Sequence, residues 1–162
     1  GGDLIIAVRS CGICGSDLHM AEVHDHSGGM APLPAGCIMG HEFCGEVVEV
    51  GADSSKQFKS GDRVTALPFI ACGQCHACLS GRGHRCATSR SIGLGADAGG
   101  YAEYMRVGIS DTLLLPSGVD WQHGALVEPL AVALHGVHAA RLVPGENVLV
   151  MEIGRASCRE RV

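Results

Sequence analysis

Aromatic side chains make up only 4% of this 162-residue chain, with one Trp, two Tyr and three Phe. Lys and Arg form no run or stripe, and the formal net charge is −5. An acidic, aromatic-poor sequence lacks both the cations that neutralise phosphates and the rings that stack on bases, which argues against nucleic acid as a partner. No stretch approaches the ~18 consecutive apolar residues that a membrane-spanning helix needs, which argues against a membrane partner.

What the chain does have is 24 glycines, nine cysteines and 46% apolar residues. At this length that apolar share is enough for one domain with a core, and the glycine density points to a turn-rich, β-leaning fold. Strands are expected at Leu4 to Val8, Gly45 to Val50, Arg63 to Leu67, Tyr101 to Val107 and Leu113 to Leu115, each rich in β-formers and bounded by Gly, Pro, Asp or Ser. Turns around Gly51-Ala52-Asp53 and Ser60-Gly61-Asp62 are expected to link three of them into a meander. Trp121 to Val127 reads as a short helical turn. Pro129 to Leu142 reads as a longer helix with Pro129 in its first position, where the missing N–H costs nothing.

The fold class expected is mainly β: a barrel-like domain over 1–127, then a linking helix and the first strand of a parallel α/β unit over 128–151. That strand would be Asn147 to Met151. Both ends are expected to be cut. The chain opens Gly1-Gly2-Asp3 directly before an apolar run, and 152–162 has no apolar period and resembles a translated sequencing adapter. The tail is set aside as non-native, and Cys158 with it.

Cys72, Cys75, Cys78 and Cys86 form a C-x2-C-x2-C-x7-C cluster in a glycine-rich loop. Two-residue spacers let one turning backbone deliver three thiolates to a point, as a closed tetrahedral zinc site requires. Gly73, Gly81 and Gly83 are expected to make its tight turns. Disulfides and an iron–sulfur run are the alternatives; the latter is C-x2-C-x2-C-x3-C-P, with a shorter last spacer and a proline where this chain has Ala87. A reducing, cytoplasmic compartment favours metals over bridges.

A second constellation lies elsewhere. Cys14 stands between glycines just before a short helical stretch whose N-terminus favours a thiolate. His41 and Glu42 open a strand after a Pro/Gly-rich loop, and Glu128 stands before Pro129, which favours an extended backbone at that position. One sulfur, one imidazole and one carboxylate make a three-ligand set with a fourth position open, the arrangement of a catalytic zinc.

The stretches CGICGSDLH, GHEFCGEVVEVG, GDRV, CGQCHACLSGRGHRC, GGYAEYMRV and ALVEPLAVALHGV, in this order, resemble the zinc-dependent medium-chain dehydrogenases, the alcohol, sorbitol, threonine and butanediol dehydrogenase group, over residues 1–151. The resemblance implies a chaperonin-cofactor (GroES)-like barrel, one catalytic and one structural zinc, and NAD or NADP in the intact protein, expected to be a homo-oligomer. Cys14 and His41 would be ligands of the catalytic zinc, Glu42 the carboxylate behind it, and Asp17 the acceptor that orients the His41 ring. Glu128 stands where classical alcohol dehydrogenases have cysteine, which resembles the polyol and secondary-alcohol branch. The implied reaction is hydride transfer from a zinc-bound secondary alcohol, diol or polyol to the nicotinamide cofactor, with Ser16 and His19 relaying the proton. A threonine-type dehydrogenase and a non-catalytic zinc-binding module are the alternatives. His24, His26, His76, His84, His123, His135 and His138 match no ligand of the group. The glycine-rich phosphate turn and the acidic residue ~20 positions later that such a cofactor needs do not follow Val148 to Met151, so the chain as given is expected not to turn over.

Overall fold

A computed structural model describes residues 2–22, 32–52 and 57–149. The chain divides into two units, Gly1–Glu128 and Pro129–Val162. The first is built on β1 (Asp3–Gly12), β2 (Glu42–Val50), β3 (Arg63–Ala66), β6 (Tyr104–Gly108) and β7 (Thr112–Leu114), an antiparallel sheet of order β6-β1-β2-β3-β7. A separate ribbon pairs β4 (Phe69–Ile70) with β5 (Arg90–Ser91).

Alternation of side chains along each strand sends Leu4 and Ile6 of β1, Val47 of β2, Val64 of β3, and Met105 and Val107 of β6 to one core, joined by Phe43, Phe58, Ile70 and Ile92. The start of β2 breaks the alternation, because Glu42, Phe43 and Cys44 are all buried. Cys44 faces a second small core with Leu115 and Ala125, on which Trp121 and Val127 pack. At that second core Cys44 Sγ lies 3.0 Å from the Trp121 carbonyl oxygen, and burial pushes the thiol up to about 11.

The expected barrel is not closed. β6 and β7 follow each other in sequence, yet they stand at opposite edges of the sheet and do not pair. The 3-10 turn Ile109–Asp111 between them, held by the Thr112 hydroxyl donating to Gly108 O at 2.7 Å, redirects the chain so that β7 reaches β3 instead. β1 starts one residue before the expected Leu4 and runs on to Gly12, and β6 begins at Tyr104 rather than Tyr101. Residues 99–101 instead bond the 38–40 loop, with Gly100 N donating to Gly40 O at 2.7 Å and Tyr101 N to Met39 O at 3.0 Å.

Four helices complete the described residues: α1 (Gly15–Glu22), α2 (His76–Leu79), α3 (Trp121–Gly124) and α4 (Val127–Ala140). Pro129 is the third residue of α4, not the first. It is still accommodated, because all N–H groups of the first turn lack an intrahelical acceptor. Beyond α4, Asn147 to Leu149 form no strand, since no ladder partner supplies their backbone hydrogen bonds among the described residues. Val150 and Met151, the tail 152–162, and His24 and His26 lie outside the described residues. No described helix is long and apolar enough to cross a membrane.

Candidate metal centres

The β4–β5 ribbon closes the base of the cysteine loop, pairing Phe69 with Ser91 and Ile70 with Arg90. Neither strand was expected, since two residues each carry no readable alternation. Within the loop, Gly73 and Gly81 adopt φ of +74° and +70°, the left-handed turns that L side chains resist. Gly83 differs: it sits in the 3-10 turn Gly83–Arg85, and an added Cβ would lie 3.0 Å from Asp111 Oδ1, so close approach and not handedness suits glycine there.

These turns bring the sulfurs of Cys72, Cys75, Cys78 and Cys86 within 4.8 Å of one another. All four thiols are free. Cys72 and Cys78 are 3.8 Å apart at sulfur and Cys75 and Cys78 3.4 Å, whereas a disulfide needs ~2.05 Å. A tetrahedral zinc with bonds of about 2.3 Å sets its sulfurs about 3.8 Å apart, so the donor set fits such an ion in number, type and spacing.

The thiols differ in basicity. The Thr88 hydroxyl, the Cys72 N–H and the Thr88 N–H hold Cys86 down to about 6. The Gln74 and Cys75 N–H groups lower Cys72, while desolvation and the adjacent Cys75 push Cys78 up to about 12. Four sulfurs within 4.8 Å of one another cannot all ionise together without a cation among them.

The second cluster is assembled by strand register. β1 and β2 pair with shifts between Ile5 and Ile6 and between Val8 and Ser10, after which Cys11 faces Phe43 and Gly12 faces Glu42. Cys14, two residues past Gly12, therefore comes beside the start of β2. One ligand atom each from Cys14, His41 and Glu42 lies within 4.8 Å of the others. His41 is 6% exposed, Glu42 1% and Asp17 2%.

Asp17, buried on α1, anchors this cluster. Its Oδ2 accepts from the Cys14 backbone N–H at 2.8 Å and from the Tyr101 hydroxyl at 3.0 Å. Its Oδ1 lies 3.2 Å from His41 Nδ1, without the alignment of a full hydrogen bond, and neither buried atom has another hydrogen-bond partner among the described residues. With Nδ1 facing a carboxylate, Nε2 is the nitrogen directed at a ligand position. Burying two carboxylates and an imidazole together is costly unless a cation compensates them, and a thiol, an imidazole and a carboxylate are donors that zinc accepts. The set fits.

Close packing limits the surroundings. A Cβ on Gly12 would collide with Glu42 Oε2, and one on Gly40, whose φ is +98°, would meet the Tyr101 ring and Cys11 Sγ. Burial pushes the Cys11 thiol up to about 11, which suits packing and not ligation. Burial and the Asp17 carboxylate also raise the Tyr101 hydroxyl, so it stays a donor.

The model of the alcohol dehydrogenase GroES-like domain matches residues 1–117. The chain belongs to this family. Among curated relatives, L-galactonate-5-dehydrogenase of Escherichia coli (strain K12) is 39% identical over 155 residues, covering 94% of the chain and 42% of the relative. Sorbitol dehydrogenase of Bacillus subtilis (strain 168) is 34% identical over 152 residues, again 94% of the chain and 42% of the relative. Among solved structures, a protein assigned as a zinc-binding dehydrogenase from Sinorhizobium meliloti 1021, bound to NADP, is 40% identical with a TM-score of 0.69 over 85% of this chain and 38% of that one. The chain thus spans about two fifths of the length of the curated relatives it matches.

Within this GroES-like domain the expected residues fall as follows. Cys14, His41 and Glu42 converge, with Asp17 behind His41. Ser16 Oγ is 3.3 Å from His41 Nε2. His19 is exposed on α1, and no hydrogen bond joins it to Ser16 among the described residues. Glu128, half-buried in the first turn of α4, is not in the group of ligand atoms that converge. Tyr101 went unnoticed as a site residue because it reads as the first residue of a strand. The two glycines before it, which admit the crossing by the 38–40 loop, were the available signal.

Proposed function

We propose that the protein to which this chain belongs is a zinc-dependent oxidoreductase of the alcohol and polyol dehydrogenase type. It takes hydride from the carbinol carbon of a secondary alcohol, diol or polyol and passes it to NAD or NADP. The observation that carries this reading is the convergence of a thiol, an imidazole and a carboxylate from Cys14, His41 and Glu42 within 4.8 Å. Three donors leave a position open for a substrate hydroxyl, whereas four cysteines close theirs, so the Cys72 to Cys86 cluster takes a structural zinc.

Zinc at the open site supplies Lewis acidity that eases deprotonation of a hydroxyl. The chain's own residues do the rest. Asp17 holds the His41 ring by its Nδ1 edge, Cys14 and Glu42 supply negative charge, and Ser16 and His19 relay the alcohol proton toward solvent in this reading. Glu128 belongs to this reading as a further carboxylate of the site. Relatives named for galactonate and sorbitol support a hydroxyl-rich substrate, and the NADP-bound structure supports a nicotinamide cofactor.

The test is expression of the full reading frame, followed by oxidation assays on secondary alcohols, diols and polyols with each nicotinamide cofactor. Cys14→Ser and His41→Ala should abolish oxidation and leave one zinc per chain at the four cysteines. Glu128→Cys should alter substrate preference without erasing activity, since it swaps a hard donor for a soft one. Zinc-replete protein that oxidises none of these alcohols would refute the reading.

A further inference from the structure

Asp17 has two oxygens with different tasks, and Tyr101 is what separates them. Oδ2 is taken by the Cys14 N–H at 2.8 Å and the Tyr101 hydroxyl at 3.0 Å, while Oδ1 faces His41 Nδ1 at 3.2 Å. The Tyr101 hydroxyl also lies 3.1 Å from Gly12 O, so its single hydrogen is shared between the end of β1 and the first turn of α1. The ring is fixed from the other side. Gly40 packs against it so closely that a Cβ there would stand 2.8 Å from Tyr101 Cδ1. Tyr101 N is bonded to Met39 O at 3.0 Å, two residues before His41. One side chain therefore spans all three segments that bear on the cluster: the β1 end that leads to Cys14, the α1 turn that carries Asp17, and the loop that delivers His41.

We propose that Tyr101 is a positioning residue of the Cys14–His41–Glu42 centre, acting through Asp17: its hydroxyl pins one carboxylate oxygen so that the other is held toward the imidazole. The inference rests on the reading of those three residues as metal ligands. Without the hydroxyl, Oδ2 keeps only the Cys14 N–H among the described residues, the carboxylate can rotate about its terminal torsion, and the His41 ring loses a fixed acceptor. Groups that orient ligands from behind typically change metal affinity by about 10–100-fold when removed.

Cobalt(II) replaces zinc with a visible spectrum, and the four-thiolate site serves as an internal reference within the same 162-residue chain. The experiment titrates cobalt against a chelator in unmodified chain and in Tyr101→Phe, which keeps the ring against Gly40. Tyr101→Phe should weaken the Cys14–His41–Glu42 site by about 10-fold or more, leave the four-thiolate site unchanged, and shift the 15N resonance of His41 Nδ1 in zinc-loaded chain. In an Asp17→Asn background the Tyr101 change should add little, because both act on one contact. Equal cobalt affinity with an unmoved His41 resonance overturns the inference. So does a parallel loss at both sites with a lowered melting temperature, which marks a packing role alone. If the phenylalanine variant does not fold, unmodified chain still decides. Zinc binding should shift the phenolic proton of Tyr101, and a proton that does not respond overturns the proposal. An unmodified chain that takes cobalt only at the four cysteines refutes the metal reading and this inference with it, whereas two bound ions with no effect of Tyr101→Phe refutes the inference only.

Discussion

Gly12→Ala tests the assembly of the open metal site by adding one methyl group. Gly12 ends β1 opposite Glu42, and its backbone is not in the left-handed region, so alanine meets no backbone penalty. The difficulty is the side chain it faces, because the new Cβ would overlap Glu42 Oε2 and lie 3.3 Å from Glu42 Cβ. Carbon and oxygen need roughly 3.2–3.5 Å, so the carboxylate must swing about 1 Å, and Glu42 is 1% exposed with little space to take it. Overpacking of this kind costs about 1–3 kcal/mol of stability. Displacing a donor from its cluster should lower metal affinity at Cys14, His41 and Glu42 by about 10–100-fold, equal to about 1.4–2.7 kcal/mol. Gly15→Ala is the control. It lies three residues on, at the start of α1, with nothing within 4 Å of an added Cβ. Two-site cobalt titration reads both variants, with the four-thiolate site as reference. Gly12→Ala should lose the open site selectively and Gly15→Ala should lose neither. If Gly12→Ala bound cobalt like unmodified chain at both sites, the placement of Glu42 against Gly12 would be wrong.

Cys72→Ser combined with Cys75→Ser should remove one metal equivalent and abolish the ordered 72–90 loop, measured by metal analysis and amide exchange, because coordination there is folding free energy; full metal content would refute the structural site. Thr88→Val should raise the Cys86 thiol from about 6 toward its ordinary value of 9.0, by removing its strongest hydrogen bond. In metal-free chain the pH midpoint of Cys86 alkylation should move up accordingly, and an unmoved midpoint refutes the assignment. Since the folded pKa lies below the unfolded one, the stabilisation that Cys86 contributes to the metal-free loop is complete above pH 9 and lost as the pH falls through about 6.

The sequence by itself determined whatever is local. The four-cysteine cluster was legible because its ligands lie within one loop and spacing almost dictates their meeting, with Gly73 and Gly81 marking the turns. Leu4 to Val8 and Gly45 to Val50 were legible as strands because β-formers bounded by turn residues carry their own signal. Cys14, His41 and Glu42 were named from their residue types and Asp17 from a resemblance, but spacing could not bring them together. Their meeting depends on the β1–β2 register and its two shifts, and a slip of one residue would turn Glu42 to the opposite face of the sheet. The same register puts Glu42 opposite Gly12 and so among the converging atoms. Which strands pair was not legible for a related reason. Pairing belongs to two segments at once, so β7 could be read as a strand without revealing that it pairs with β3 and leaves β6 at the other edge. Tyr101 is the most distant case: 84 residues separate it from Asp17, and only the folded chain places its hydroxyl on that carboxylate.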